Sequence, residues 1–235
     1  MARTELLNNV DHQNIKVRTQ KSAEFGDDQM LSLTFPAEFR TAQAYYPIVL
    51  HKDAQTGQFY PVTLFGFQAG ENLFLNADGW QSGYVPLAIE RHPFSIGQQN
   101  GQRVIHIDME SPRVSTDEGE PLFLEFGGNT PYLQRVGDML ETLHHGVEDN
   151  KKFIEMLNEF DLIESFSLDI TLNNGAEHRL LGFYTINEDK LAALGAEQMS
   201  AIHQSGYLFA IYMMLASQSQ FAKLVAMKNQ QIEQA

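Results

Sequence analysis

The order of predicted elements is strands, then a helix, a hairpin and further helices, which predicts an α+β fold. Three observations carry this. Up to Asp108 the chain is a series of short segments rich in aromatic and β-branched residues, punctuated by Gly and Pro. From Thr130 the apolar residues change to a helical period. Between the two helical regions sits a strong hairpin signal, Asn173-Asn-Gly-Ala176. The 235 residues are 43% apolar and 20% charged, a globular composition. The expectation is one domain over 1–235, with a β-rich lobe over 1–129 and a mainly helical lobe with a hairpin over 130–235.

Each element has a local cause. Residues up to about Asp28 are polar, with one strand expected at Ile15-Lys-Val-Arg-Thr19. Tyr46-Pro-Ile-Val-Leu-His51 and Phe59-Tyr-Pro-Val-Thr-Leu-Phe-Gly-Phe67 suit two strands of a hairpin. Lys52-Asp-Ala-Gln-Thr-Gly-Gln58 between them is turn-forming. Gly70 to Gly79 reads as a short strand ended by an Asp-Gly turn. Tyr84 to Phe94 predicts a short helix with Pro86 in its first turn and Pro93 as its stop. Arg103-Val-Ile-His-Ile-Asp108 alternates polar and apolar, the pattern of a half-buried strand. Met109 to Asn129 reads as an irregular loop.

Thr130-Pro131 is a helix start, with Thr as N-cap and Pro at the first helical position. Leu133, Val136, Leu140 and Leu143, then Phe153, Leu157 and Phe160, follow the helical period, with a break or kink expected near His144-His-Gly146. Phe166 to Leu172 and His178 to Ile186 are the arms of the second hairpin. Asn187 opens a helical region that reaches close to the C-terminus. Within it, Gly206 to Ala216 is an apolar run of 11 residues, short of the roughly 20 that span a bilayer, so a buried core helix is expected.

Composition excludes several classes. Sixteen Lys and Arg against 30 Asp and Glu leave a net charge of −14. Duplex nucleic acid and anionic lipid are therefore poor partners, since both need clustered cations. With no Cys, disulfides, thiolate metal sites and a Cys nucleophile are ruled out. Gly-x-Gly-x-x-Gly, the Walker lysine motif and Gly-x-Ser-x-Gly are missing. The N-terminal segment has no apolar run of signal-peptide length and carries Glu5 and Asp11 early, which predicts cytoplasmic residence by default, with leaderless surface export as the alternative.

Several phrases carry a resemblance. They are Tyr46-Pro-Ile-Val49, Lys52-Asp-Ala-Gln-Thr-Gly57, Gly70-Glu-Asn-Leu-Phe-Leu75, Gly83-Tyr-Val-Pro86 and Arg91-His-Pro-Phe94. Ile107-Asp-Met-Glu-Ser-Pro-Arg-Val114, Gly119-Glu-Pro-Leu-Phe123, Leu181-Gly-Phe-Tyr-Thr-Ile-Asn-Glu188 and the helix at Gly206 extend it over nearly the whole chain, in order. In these the sequence resembles the SapC family of bacterial proteins. The resemblance implies an association with the bacterial surface layer and brings no catalytic residues with it. Members resemble neighbours of outer-membrane receptors, flavin-dependent halogenases and cupin-like proteins, which is association without mechanism. A peptide-transport permease shares the short name, but this chain has no spanning run.

Four groups of residues are candidates for chemistry. His106 and Asp108, two apart on a strand, face the same side and resemble half of a facial triad for ferrous iron, with His144, His145, His178 or His203 as the third ligand. Against that, a three-residue His-x-Asp arises easily by chance. His144 and His145 diverge by about 100° on one helix and suit a helix C-terminus better than a shared metal. The acidic stretch from Asp108 to Glu125, with Asp117, Glu118 and Glu120 at its centre, suits a solvated surface or a cationic peptide; the ordered ligand spacing of an EF-hand is absent. Trp80 and Tyr84, beside Gly79 and Gly83, are candidate aromatic anchors for a partner, with core packing as the plain alternative. The expectation is a binding or accessory protein with a protein or peptide partner and no cofactor. The rivals are an iron-dependent modifying enzyme using His106 and Asp108, and a structural subunit that self-associates through a helix at Met213-Met214.

Overall fold

A computed structural model describes residues 3–234. It is 37% helical and 26% strand, an α+β protein. In chain order come β1 (Thr4–Leu6), β2 (Lys16–Val17), β3 (Leu31–Leu33), α1 (Pro36–Ala42), β4 (Ile48–Lys52) and β5 (Phe59–Leu64). Then follow β6 (Leu75–Asn76), β7 (Gly79–Trp80), α2 (Leu87–Glu90), β8 (Phe94–Gln99), β9 (Gln102–Asp108), β10 (Val114–Ser115) and β11 (Glu120–Pro121). The rest is α3 (Pro131–Glu159), β12 (Ile163–Thr171), β13 (Glu177–Ile186), α4 (Glu188–Ala193), α5 (Ala196–Ser205), α6 (Leu208–Ala216) and α7 (Gln220–Gln234).

These elements form two compact units that alternate along the chain. The first comprises Met1–Asp27, Leu75–Trp80 and Leu87–His145; the second comprises Asp28–Phe74, Gln81–Pro86 and Gly146–Ala235.

The first unit holds two three-stranded antiparallel sheets, β1-β9-β8 and β10-β2-β11, and the short pair β6-β7. The expected strand near Ile15 is β2, and the Asp-Gly turn closes β6 onto β7 with Asn76 opposite Gly79. The stretch from Met109 to Asn129 is less irregular than its composition suggests, because β10 and β11 pair with the two edges of β2. The strand β8 escapes a reading from pattern, since Pro93 and the preceding helix absorb Phe94 and only Ile96 continues the alternation. Val17, Phe94, Ile107 and Leu122 are buried.

The second unit is built on one five-stranded antiparallel sheet, β12-β13-β4-β5-β3. Its interior is aromatic. Tyr46 meets Phe65 and Phe74 edge-on at 5.1 and 4.8 Å between ring centres, and Phe39 meets Phe153 at 5.8 Å. Such edge contacts match the positive rim of one ring to the negative face of the next. The apolar run at 206–216 forms a helix, but a half-buried one rather than the buried core helix expected: Ala210, Ile211 and Met214 of α6 are buried, while Phe209 and Tyr212 face out. No helix among the described residues is long and apolar enough to cross a membrane.

The long helix corrects one expectation. Thr130 caps it as expected, its Oγ1 accepting the Leu133 N–H at 3.2 Å. The helix then runs unbroken through His144-His-Gly146 to Glu159. Those histidines are therefore mid-helix and meet no C-terminal dipole. Glycine at 146 is required by packing: a Cβ there would lie 2.4 Å from the Phe35 ring. The close approach of helix to ring is the reason a poor helix former sits mid-helix.

Candidate functional site

A cleft of about 710 Å³ opens in the second unit between the β4–β5 loop and α3. Its helical wall is Val147, Asn150, Lys151, Ile154, Glu155 and Asn158. These recur at i, i+3, i+4, i+7, i+8 and i+11, one continuous face of a helix. At 1.5 Å per residue that face is about 16 Å long. The facing wall is Asp53, Thr56, Gly57 and Gln58 of the loop, with Phe59 and Tyr60 of β5 and Leu33 of β3.

The loop is held by its own first carboxylate. Asp53 Oδ1 accepts the N–H of Gln55 at 2.9 Å, the N–H of Thr56 at 2.6 Å and the Thr56 hydroxyl at 2.9 Å. An aspartate bonding its own backbone two and three residues on is what Asp contributes to turns. The Gly57 N–H donates to the Asp53 carbonyl at 2.8 Å, and Gly57 takes the left-handed φ of 70° that the turn needs. The Thr56 N–H and hydroxyl, with help from Gln55, hold the Asp53 carboxyl below its ordinary range. Behind the loop the Tyr60 hydroxyl lies 2.9 Å from His51 Nδ1. Burial, and then Asp53, push the Tyr60 phenol up.

Asn150 is the distinctive group on the helical wall. It is only 6% exposed. Its Nδ2 donates to the Thr34 carbonyl at 2.9 Å, and because a carbonyl can only accept, this fixes the amide orientation. The Oδ1 is then left buried with no hydrogen-bond partner. An acceptor shut from water and unpaired costs roughly 1–3 kcal/mol, so it calls for a physical account. Around it the wall is mixed: Leu33, Phe59, Val147 and Ile154 are apolar, while Asp53 and Glu155 are acidic. Lys151 is turned to Glu148, at 2.8 Å. Among the described residues no Lys or Arg forms an ion pair with Asp53 or Glu155.

Tyr84 belongs to a separate network in the second unit. Its hydroxyl donates to Glu38, and its carbonyl accepts from the Tyr46 hydroxyl. Glu38, 4% exposed, also accepts from the Thr34 hydroxyl at 2.9 Å. Burial, and then the Glu38 charge, push the Tyr84 phenol far above its ordinary value. In the same unit Glu71, 8% exposed, pairs with Lys228 at 2.6 Å and accepts the Phe67 N–H at 2.7 Å.

The first unit holds the other residues singled out by sequence. Trp80 is half-buried on β7 opposite Leu75. Asp117, Glu118 and Glu120 are exposed. Two cations of the β2 segment meet this stretch: Lys16 donates to the Asp117 carbonyl at 3.0 Å, and Arg18 lies 3.4 Å from Glu118. His106 and Asp108 share one face of β9, with the His106 ring lying over Gly97, where a Cβ would come within 2.3 Å of it. Asp108 accepts the Glu110 N–H at 3.1 Å. Among the described residues no three His, Asp or Glu side chains gather as a metal site. Beneath the acidic stretch, Arg113 is buried against Asp27 at 2.5 Å and donates to the carbonyls of Arg18 and Gln20. Burial, and then Arg91 and Arg113, hold His92 down to about 4.

Reading the sequence for conspicuous residue types passed over the helical stripe of the cleft. A signal for it exists: from Val147 to Asn158 the polar and apolar residues at i, i+3, i+4 spacing form a second face beside the buried Phe153 and Leu157.

Comparison with known proteins gives one finding. No curated protein and no solved structure matches the chain. The family model of SapC matches residues 7–224. That span takes in every strand after β1, the long helix and the cleft, and by it the chain belongs to the SapC family.

Proposed function

We propose that this SapC-family chain is an accessory binding protein that takes a peptide segment of a cell-surface-linked protein partner into the cleft between the β4–β5 loop and α3. The observation that carries the proposal is the cleft itself, in which the apolar side chains of Leu33, Phe59, Val147 and Ile154 lie beside the carboxylates of Asp53 and Glu155. The shape favours a peptide. A wall about 16 Å long accommodates about five extended residues at 3.3 Å each. Lys52-Asp-Ala-Gln-Thr-Gly57, one of the phrases that carry the family resemblance, supplies much of the facing wall.

The test is methyl NMR of the full chain titrated with a mixed library of capped five-residue peptides. Saturable shifts at Leu33, Val147 and Ile154 are expected. Shifts confined to other methyls, or none, would overturn the proposal.

A second reading, a self-associating structural subunit, draws on α6. Phe209 and Tyr212 are 51% and 49% exposed there, one turn apart. Met213 is half-buried beside them, whereas Met214 is wholly buried and belongs to the core rather than to any dimer face. Sedimentation showing a monomer at high concentration would remove this reading.

A further inference from the structure

We infer that β12, the long free edge of the five-stranded sheet, is a pairing surface for a second copy of this chain. The two edges join antiparallel about Ser167, and two sheets of five strands become one of ten. β12 contributes no residue to the cleft, so this contact is separate from it.

An edge strand presents a row of N–H and C=O groups with no neighbouring strand to take them, and natural sheets blunt such edges. The strand order β12-β13-β4-β5-β3 leaves two edges, β3 with three residues and β12 with nine. At about 3.3 Å per residue β12 is about 30 Å long. Among the described residues no backbone hydrogen bond joins Ile163–Thr171 to any strand or loop other than β13. The usual guards are missing. β12 contains no Lys, Arg or Pro. Its two carboxylates are engaged within the chain: Glu164 accepts from the Asn187 side-chain amide at 2.8 Å, and Asp169 pairs with Arg179 of β13 at 3.0 Å. The bulge of this hairpin lies on the inner strand. Between the pairs Phe166–Phe183 and Leu168–Leu180, Ser167 alone faces Leu181 and Gly182. β12 therefore alternates without a break. Ser165, Ser167, Asp169 and Thr171 are exposed on one face, while on the other Phe166 and Leu168 are only half-buried beside buried Ile170.

The pattern of β12 suits its own copy. Side chains opposite each other in a sheet share a face, so the two-fold axis of an antiparallel self-pair passes through a residue position. Ser167 is the midpoint of Ile163–Thr171, and that centre alone pairs all nine residues. It sets Phe166 opposite Leu168 of the second copy, Ser165 opposite Asp169, Glu164 opposite Ile170, and Ser167 opposite itself. The half-buried apolar residues then cover one another, a hydroxyl reaches a carboxylate, and no like charges meet. A parallel pair in register would set Glu164 against Glu164 and Asp169 against Asp169. Each chain carries −14, so pairing works against a long-range repulsion that salt screens.

Sedimentation equilibrium and amide exchange of the full chain test this. A dimer is expected that tightens several-fold between about 50 and about 500 mM salt, with β12 amides gaining protection as concentration rises. Ser167→Lys, at an exposed position, sets two cations face to face and should weaken the dimer by about tenfold or more; Ser167→Glu should do the same with two anions. Mixing the two variants should restore pairing, because only a residue opposite itself gains an opposite charge that way. If a charge at 167 unfolds the chain, exchange of the unaltered protein decides, and protection that rises elsewhere but not in β12 would overturn the inference. It would also be overturned by a monomer at every concentration and salt, by a dimer indifferent to both charges, or by no rescue on mixing. A dimer lost on Phe209→Ser with Tyr212→Ser, and kept by both Ser167 variants, would place the contact on α6 instead.

Discussion

The acidic stretch of the first unit and the cleft of the second are both polar, and their polar groups are in opposite states. Asp117, Glu118 and Glu120 stand in solvent, where water satisfies them and Arg18 pairs with Glu118. Exposed pairs of this kind are each worth about 0–1 kcal/mol. In the cleft a single amide oxygen is out of water and unpaired. The first arrangement has little free energy to gain from a ligand; the second holds a polar group at a cost the fold itself bears. Density of charge in a sequence therefore marks a surface, while burial of a polar group without a partner is visible only in the folded chain.

The sharpest way to break this contrast lies under the acidic stretch. Arg113 is 1% exposed, paired with Asp27, bonded to two carbonyls and stacked on Phe25 at 5.0 Å. Arg113→Ala strands a buried carboxylate and should cost about 3–5 kcal/mol by urea unfolding. If the loss is under about 1 kcal/mol, the pair is not the anchor described. On the cleft side, Gly146→Ala improves helix propensity by about 1 kcal/mol yet drives a methyl into the Phe35 ring. We expect a net loss of about 1–3 kcal/mol, and a stabilised protein would show that the helix and ring are free to part.

A pH scan separates buried from exposed titration. His92 has a folded value of about 4 against 6.5 for the free side chain. Below pH 6.5 the unfolded chain takes up a proton that the folded chain refuses, so stability should fall from pH 6.5 to about 4. His92→Gln should flatten that part of the profile; an unchanged slope would place its cause elsewhere. The smallest effect is expected in the acidic stretch itself. Asp117→Asn with Glu118→Gln should change stability by no more than about 0.5 kcal/mol per site and leave peptide affinity at the cleft within about twofold. A large loss of affinity would move the site to that surface.

Much of the fold was legible because its causes are local. The loop between β4 and β5 is announced by Asp53 and Gly57, which bond within the loop. The start of α3 is announced by Thr130-Pro131, and the last hairpin by Asn173-Asn-Gly175. Two strands of the acidic stretch were not legible, since β10 and β11 are two residues long and exist only through pairing with β2. The continuity of α3 through Gly146 was hidden for the same reason, because the ring that requires the glycine is Phe35, far away in the sequence.

The site divides in the same way. The sequence by itself determined the α+β class, the family and the exclusion of thiolate chemistry, because composition and short-range pattern carry those. Only the tertiary structure decided which residues share a wall. Leu33, Asp53 and Asn150 belong to three separate segments, and the last becomes conspicuous only once Thr34 takes its amide nitrogen and burial removes water from its oxygen. An asparagine in a sequence is an ordinary polar residue; loss of solvent without replacement of the hydrogen bond is a property of the folded chain.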